Sequence, residues 1–172
     1  MKIMLFGQIG SGKTHIGSLL NSRFRIHFHD ADADLPPRIR EAIQKQEPIC
    51  DAMRDEFTEA IISRIQALEA THEHFCVAQA LFKNRHRERV REAIPRLDFV
   101  WVKSTPTLIS ERLQQRTGHL ATAYYGEIIN PQFELPTIPH RVIENAGEDS
   151  LLESRISYVL AQIKSANTQH ET

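Results

Sequence analysis

The sequence predicts an α/β domain, a parallel sheet of five strands with helices on both faces. Three observations predict it. Strand-type and helix-type hydrophobic patterns alternate from end to end, the βαβα rhythm of a parallel sheet. Two candidate strands, Phe75-Cys76-Val77-Ala78 and Phe99-Val100-Trp101-Val102, are continuous apolar runs, as strands covered on both faces require. The first candidate strand, Lys2 to Phe6, runs directly into a glycine loop and then a helix.

The elements follow in order. After the first helix, with Ile16, Leu19 and Leu20 on one face, Phe24 to His29 alternates apolar Ile26 and Phe28 with polar Arg25, His27 and His29. That alternation suggests an edge strand with one wetter face. Pro36 and Pro37 open a helical stretch over Arg38 to Lys45, and a longer helix runs from Asp51 to Thr71 with Phe57, Ile61, Ile62, Ile65 and Leu68 at helical spacing. Between the two apolar strands lies a highly charged helix, Asn84 to Ile94. Thr105-Pro106 signals the start of a helix over Thr107 to Gln115. Residues 117–139, broken by glycines and prolines, read as irregular and too long for a passive connection, hence as a lid. Arg141-Val142-Ile143-Glu144 is the last strand and Ser150 to Lys164 the closing helix, while the polar tail from Ser165 to Thr172 is expected to fray.

Length and composition narrow the function classes. The 172 residues suffice for a single domain with a full core, 1–172, and contain no internal repeat or low-complexity linker. With 21 basic against 22 acidic side chains the net charge is −1, so no global field favours nucleic acid or an anionic membrane. Cys50 and Cys76 stand far apart, without a C-x-x-C pair, and read as two reduced thiols of a cytoplasmic protein. No run approaches the roughly 20 apolar residues of a membrane span, and Ile3 to Phe6 is too short for a signal peptide. A soluble, cytoplasmic protein is expected, with a homodimer as the default assembly by frequency.

The chemistry is most legible in Gly7-Gln8-Ile9-Gly10-Ser11-Gly12-Lys13-Thr14, which matches the phosphate-binding loop G-x-x-x-x-G-K-[ST]. Glycines let backbone N–H groups turn inward around phosphate oxygens, and the following helix N-terminus adds partial positive charge. Lys13 is placed to reach the β- and γ-phosphates, and the Thr14 hydroxyl to ligate Mg²⁺. With the parallel sheet, this loop predicts the three-layer fold of P-loop NTPases, with a nucleoside triphosphate as ligand.

Asp30-Ala31-Asp32 follows the second strand, at the sheet edge where ligands of open α/β sheets bind. Asp30 is placed in the Mg²⁺ shell, and Asp32 is placed to accept a proton from a substrate hydroxyl. Asp34 reads as a helix cap. An Asp-rich turn that merely begins the next helix is the competing explanation. His27 and His29 share a strand face with carboxylates nearby, but a solvated edge strand explains them without a transition metal. Arg112, Arg116 and His119 gather where a helix enters the lid, and arginines there can neutralise charge on a transferring phosphoryl group. An ordinary basic helix C-terminus would look the same. The run from Lys83 to Arg91 reads mostly as a solvated helix face, with Lys83 and Arg54 as candidates to hold an anionic acceptor. No acidic residue ends the third strand (Val77-Ala78-Gln79-Ala80), and no N-K-x-D motif is present. Both omissions argue against motor ATPases and GTPases and suit small-molecule kinases.

These motifs resemble the gluconate kinase family of P-loop kinases, relatives of shikimate kinase and the nucleoside monophosphate kinases. The likeness runs from residue 3 to about 136. It is carried by the P-loop, Asp30-Ala31-Asp32 with Pro36, Glu47-Pro48-Ile49-Cys50-Asp51 with Arg54, and Ala80-Leu81-Phe82-Lys83 with His86-Arg87. Arg112-Leu113 with Arg116, Gly118 and His119, and Gln132-Phe133-Glu134, are its more specific parts. The resemblance implies a sheet in the order 2-3-1-4-5 with a mobile lid. It also implies Mg²⁺-dependent transfer of the ATP γ-phosphate to a hydroxyl of a small anionic acceptor, a sugar acid such as gluconate. Lys13, Asp32 and Arg116 would be catalytic. Arg112 would assist Arg116 or cover the adenine. Asp32, Arg54, Lys83 and His119 would contact the acceptor. Departures from the family pattern fall in the acceptor half, at Leu35, Ala52, Phe57 and Phe82, and the lid carries extra residues including Tyr124 and Tyr125. A shikimate or nucleoside monophosphate kinase, and a nucleotide-binding module without transfer activity, are the alternatives.

Overall fold

The computed structural model describes residues 1–115, 122–146 and 148–169. Strand β1 (Lys2–Phe6) is followed by α1 (Lys13–Phe24), β2 (His27–Asp30), α2 (Pro37–Gln44), α3 (Asp51–Glu69) and β3 (Phe75–Ala78). The chain continues through α4 (Asn84–Ala93), β4 (Asp98–Lys103), α5 (Pro106–Gln114), α6 (Ala123–Ile129), β5 (Arg141–Glu144) and α7 (Asp149–Gln169). Short 3-10 helices occupy Ala31–Asp34 and Asn130–Gln132. The five strands form one all-parallel sheet in the order β2-β3-β1-β4-β5, with β2 at an edge as its alternating pattern predicts.

Strand alternation divides the core. Ile3 and Leu5 of β1 face one layer, where they meet Ile16 and Leu20 of α1 and Ile156 and Ile163 of α7. Met4 and Phe6 face the other, against Ile61 and Ile65 of α3 and Val90 of α4. All of these side chains are essentially inaccessible, and burying each contributes about 1.5–3 kcal/mol. A third cluster lies beyond the carboxyl ends of the strands. It joins Leu35, Ile39 and Ile43 to Ala80 and Phe82 and to Tyr125 and Ile129. It forms the wall of the site described below.

Four expectations need correction. Residues 117–139 are not irregular throughout. The Thr122 hydroxyl caps α6 by accepting from the Tyr125 amide at 3.2 Å, and Tyr125 and Ile129, four apart on one face, are both buried. The closing helix does not fray at Ser165 but runs to Gln169, with no glycine or proline after Asp149 to stop it. Asp34 caps no helix. Asp30 caps the first 3-10 turn by accepting from the Asp32 amide, and Asp34 instead binds the His29 ring and the Arg64 guanidinium. The charged helix α4 is not simply a solvated face, because Arg87 and His86 are buried. Among the described residues no helix is long and apolar enough to cross a membrane.

Candidate active site

The chain end of β1 turns into the P-loop at the sheet edge reached also by Asp30 of β2 and by Gln79, which follows β3. A cavity of about 480 Å³ opens there, lined at one end by Gly10, Gly12, Lys13, Thr14, Asp30 and Arg112. Its other end is lined by Asp32, Gln79, Arg54, His86 and the apolar third cluster.

At the phosphate end, glycine is obligatory at two places. Gly12 has φ +92°, and a Cβ there would lie 1.9 Å from Asn145 Nδ2. Gly7 has φ +150°, and a Cβ would lie 2.4 Å from the Val102 carbonyl oxygen. L-residues rarely adopt such backbones. The loop thus presses against β4 and the end of β5 while its open side faces the cavity. Polar side chains brace its back. Asn145 donates to the Ser11 carbonyl at 2.8 Å, and Arg112 donates to Ser104 Oγ at 2.9 Å and to the Asn145 carbonyl at 3.2 Å. On the lid side, Asn130 accepts from the Ile9 amide at 2.8 Å and donates to the Ile9 carbonyl at 2.9 Å, a two-point clip onto the loop. Lys13 Nζ donates to the Gly7 and Gln8 carbonyls at 3.0 and 2.9 Å, so the ammonium lies over the loop.

Thr14 and Asp30 meet. The Thr14 hydroxyl donates to Asp30 Oδ2 at 2.9 Å, although the two residues come from different elements. Two hard oxygen donors converging beside a phosphate loop fit Mg²⁺, which takes one or two protein oxygens and completes its shell with water and phosphate. The absent acidic residue after β3 is replaced by Gln79, whose amide donates to Asp32 Oδ1 at 3.0 Å and accepts from the Ala80 amide at 2.6 Å. Asp32 is exposed at the cavity with one oxygen held by Gln79.

The sequence-selected residues do not all converge. The P-loop, Asp30, Asp32, Arg54 and Arg112 surround one space. Arg54, on α3, donates to Gln132 Oε1 at 2.9 Å and lies 5.6 Å from the Phe82 ring centroid. Lys83 does not line the cavity and instead lies 3.3 Å from Glu134. Arg116 and His119 lie outside the described residues.

No family model matches the chain. Among characterised relatives, the thermoresistant gluconokinase of Escherichia coli is 28% identical over 131 residues, 76% of this chain and 73% of that protein. The gluconokinase of Gluconobacter oxydans is 28% identical over 164 residues, 93% of this chain and 92% of that protein. A gluconokinase crystal structure from Sinorhizobium meliloti superposes with a TM-score of 0.80, at 23% identity, over 98% of this chain and 96% of that one. An unliganded sugar kinase from Janibacter gives 0.78 at 21% identity, over 92% and 93%.

The chain is similar in sequence to gluconokinases over most of its length and has the fold of the P-loop kinases.

In this gluconokinase-like chain, sequence reasoning missed three residues that build the site. Asn145 and Asn130 carry no motif of their own. Arg87 matches the family pattern but was concealed in a run of charges. Its guanidinium donates to the carbonyls of Leu81 (2.8 Å), Phe82 (3.0 Å) and Glu134 (2.9 Å) and to Asn84 Oδ1 (2.6 Å). It sits against the Phe6 and Phe133 rings, at 5.1 and 4.6 Å from their centroids. Burial lowers its pKa to about 10, which leaves it charged at neutral pH. Arg87 therefore fixes the backbone that presents Phe82 to the cavity. A faint signal existed, since Arg87 shares a helical face with Val90 and Ile94, both buried.

Proposed function

We propose that this chain is an ATP- and Mg²⁺-dependent kinase that transfers the γ-phosphate to a hydroxyl of a sugar acid, gluconate or a close analogue. One observation carries the reading: the P-loop and the Thr14–Asp30 pair share a single cavity with Asp32 and Arg54. Phosphate-handling groups therefore face a carboxylate and a guanidinium suited to an acceptor hydroxyl and an acceptor anion. The 28% identity to gluconokinases over most of the chain supports the acceptor class.

The residues divide the work as follows. P-loop amides and Lys13 hold the β- and γ-phosphates, and ATP draws the Lys13 ammonium from the Gly7 and Gln8 carbonyls. Thr14 and Asp30 would hold Mg²⁺, which offsets phosphate charge when bound. Asp32, oriented by Gln79, aligns the acceptor hydroxyl and takes its proton. Because phosphoryl transfer is largely dissociative, alignment contributes more than basicity. Arg112 braces the loop from behind, and Arg116 and His119 are proposed to add charge and acceptor contacts from the lid. Two thiols without a disulfide, Cys50 exposed and Cys76 buried, support a cytoplasmic setting.

The test is ADP release with ATP and Mg²⁺ in the presence of gluconate, shikimate or nucleoside monophosphates. Gluconate-dependent release is expected. Release only with shikimate or a nucleotide would transfer the chain to another acceptor class, and ATP binding without release on any acceptor would make it a non-catalytic module.

A further inference from the structure

The Tyr125 hydroxyl is a buried polar atom with no hydrogen-bond partner among the described residues. The residue is only 3% exposed. An unpaired buried hydroxyl is costly and calls for a partner. Its neighbours supply none. Leu35, Ile39, Ile43, Phe82 and Ile129 pack in the same cluster and offer no side-chain acceptor. Tyr125 lines the same cavity as Arg54 and Asp32.

Arg54 is the second half of the observation. Among the described residues no carboxylate pairs with it. Its hydrogen-bond partner is the neutral Gln132, in the 3-10 turn that directly follows the helix carrying Tyr125. It lies over the Phe82 ring, itself in the cluster around Tyr125. Burial raises the pKa of the Tyr125 hydroxyl and the Arg54 charge opposes that rise, as expected for two groups facing one space. A cation without a counter-ion and a donor without an acceptor thus share one end of a cavity whose other end handles phosphate.

We propose that Tyr125 and Arg54 together hold the anionic group of the acceptor, the hydroxyl donating one hydrogen bond and the guanidinium supplying charge and a second donor. The proposal rests on the kinase reading above and deepens it. It assigns the acceptor an anionic group at this end, opposite the hydroxyl that Asp32 aligns, and it makes α6 a carrier of substrate contacts rather than a passive cover. A charge-assisted pair of this kind recognises a carboxylate and discriminates against the neutral polyol of the same length, because without the anion both groups stay unpaired.

Tyr125→Phe removes one oxygen and keeps the ring, so it is the decisive variant. With gluconate as acceptor, its KM should rise about tenfold or more, the range of a hydrogen bond to a charged group, while the KM for ATP is unchanged. Arg54→Gln should raise the gluconate KM further, and the wild-type preference for gluconate over glucitol should shrink in both variants. Unliganded Tyr125→Phe should melt at or above the wild-type temperature, since the lost hydroxyl has no partner. A lower melting point would contradict the proposal. So would an unchanged gluconate KM. If wild type releases no ADP with gluconate, the sugar-acid reading fails on its own. The clamp is then judged by calorimetric titration of gluconate, shikimate and adenosine monophosphate into the full chain loaded with a non-hydrolysable ATP analogue. Weaker binding of one of these anions by Tyr125→Phe sustains the clamp. Equal binding by both proteins, or no binding to wild type, overturns it.

Discussion

The two ends of the cavity are built differently. At the phosphate end, recognition rests on backbone. The loop's shape requires glycine at Gly7 and Gly12, and Asn145, Arg112 and Asn130 hold its carbonyls and amides from outside. At the acceptor end, recognition rests on side chains from separate elements. Arg54 from α3, Phe82 and Gln79 from the β3 exit and Tyr125 from α6 meet only because Arg87 and the third cluster hold those elements together. The first design tolerates change poorly, because every triphosphate presents the same oxygens. The second permits a new acceptor through a few substitutions in the wall.

The largest expected effect probes how the acceptor end is held. Arg87→Ala should lower unfolding free energy by about 3–5 kcal/mol, because it strands the Leu81, Phe82 and Glu134 carbonyl oxygens at roughly 1–3 kcal/mol each, read by chemical denaturation. A loss under about 1 kcal/mol would mean that the β3 exit is set by packing alone. Next, Lys13→Ala should reduce turnover by at least about 10²-fold, by analogy with removing a transition-state donor, with little change in stability. Near-normal turnover would remove the phosphate end from the mechanism. Asn130→Ala should cost about 1 kcal/mol, because it removes both hydrogen bonds to the partly buried Ile9 amide and carbonyl. A neutral result would show that the lid end and the P-loop are not coupled.

A smaller effect concerns pH. Burial alone would raise the pKa of Asp34, but hydrogen bonds from Arg64 and His29 outweigh it and hold the carboxyl below its usual range. A depressed folded-state pKa means that Asp34 stabilises the fold above the unfolded carboxylate value. That contribution is lost as pH falls through the folded one. Stability of wild type should therefore decline more steeply below about pH 4 than stability of Asp34→Asn. Parallel profiles would contradict this.

The same contrast explains what could be read from the sequence. The phosphate end is contiguous, so the P-loop and its strand and helix stand in one short stretch. The strand order agrees with the order the resemblance implies, and β2 shows its edge position through alternation. The Thr14–Asp30 pair needed only the knowledge that ligands bind at strand carboxyl ends. Tyr125 and Asn130 were unreadable as site residues because prolines and glycines around them suggested irregular chain, whereas Thr122 caps a helix there. Arg87 was obscured because a buried cation and a solvated one are the same letter in a run such as Arg85-His86-Arg87-Glu88-Arg89. Its partners are mostly backbone carbonyls, including that of the distant Glu134, which no motif records. Lys83, nearer the strand end, looked better placed but turns to Glu134.

The most direct measurement is phosphorus-31 NMR of the full chain with ATP, Mg²⁺ and gluconate. A phosphomonoester resonance that grows as the γ-phosphate signal falls, and that needs gluconate, is the predicted result. Unchanged ATP signals from a protein shown to bind ATP would contradict transfer to a sugar acid.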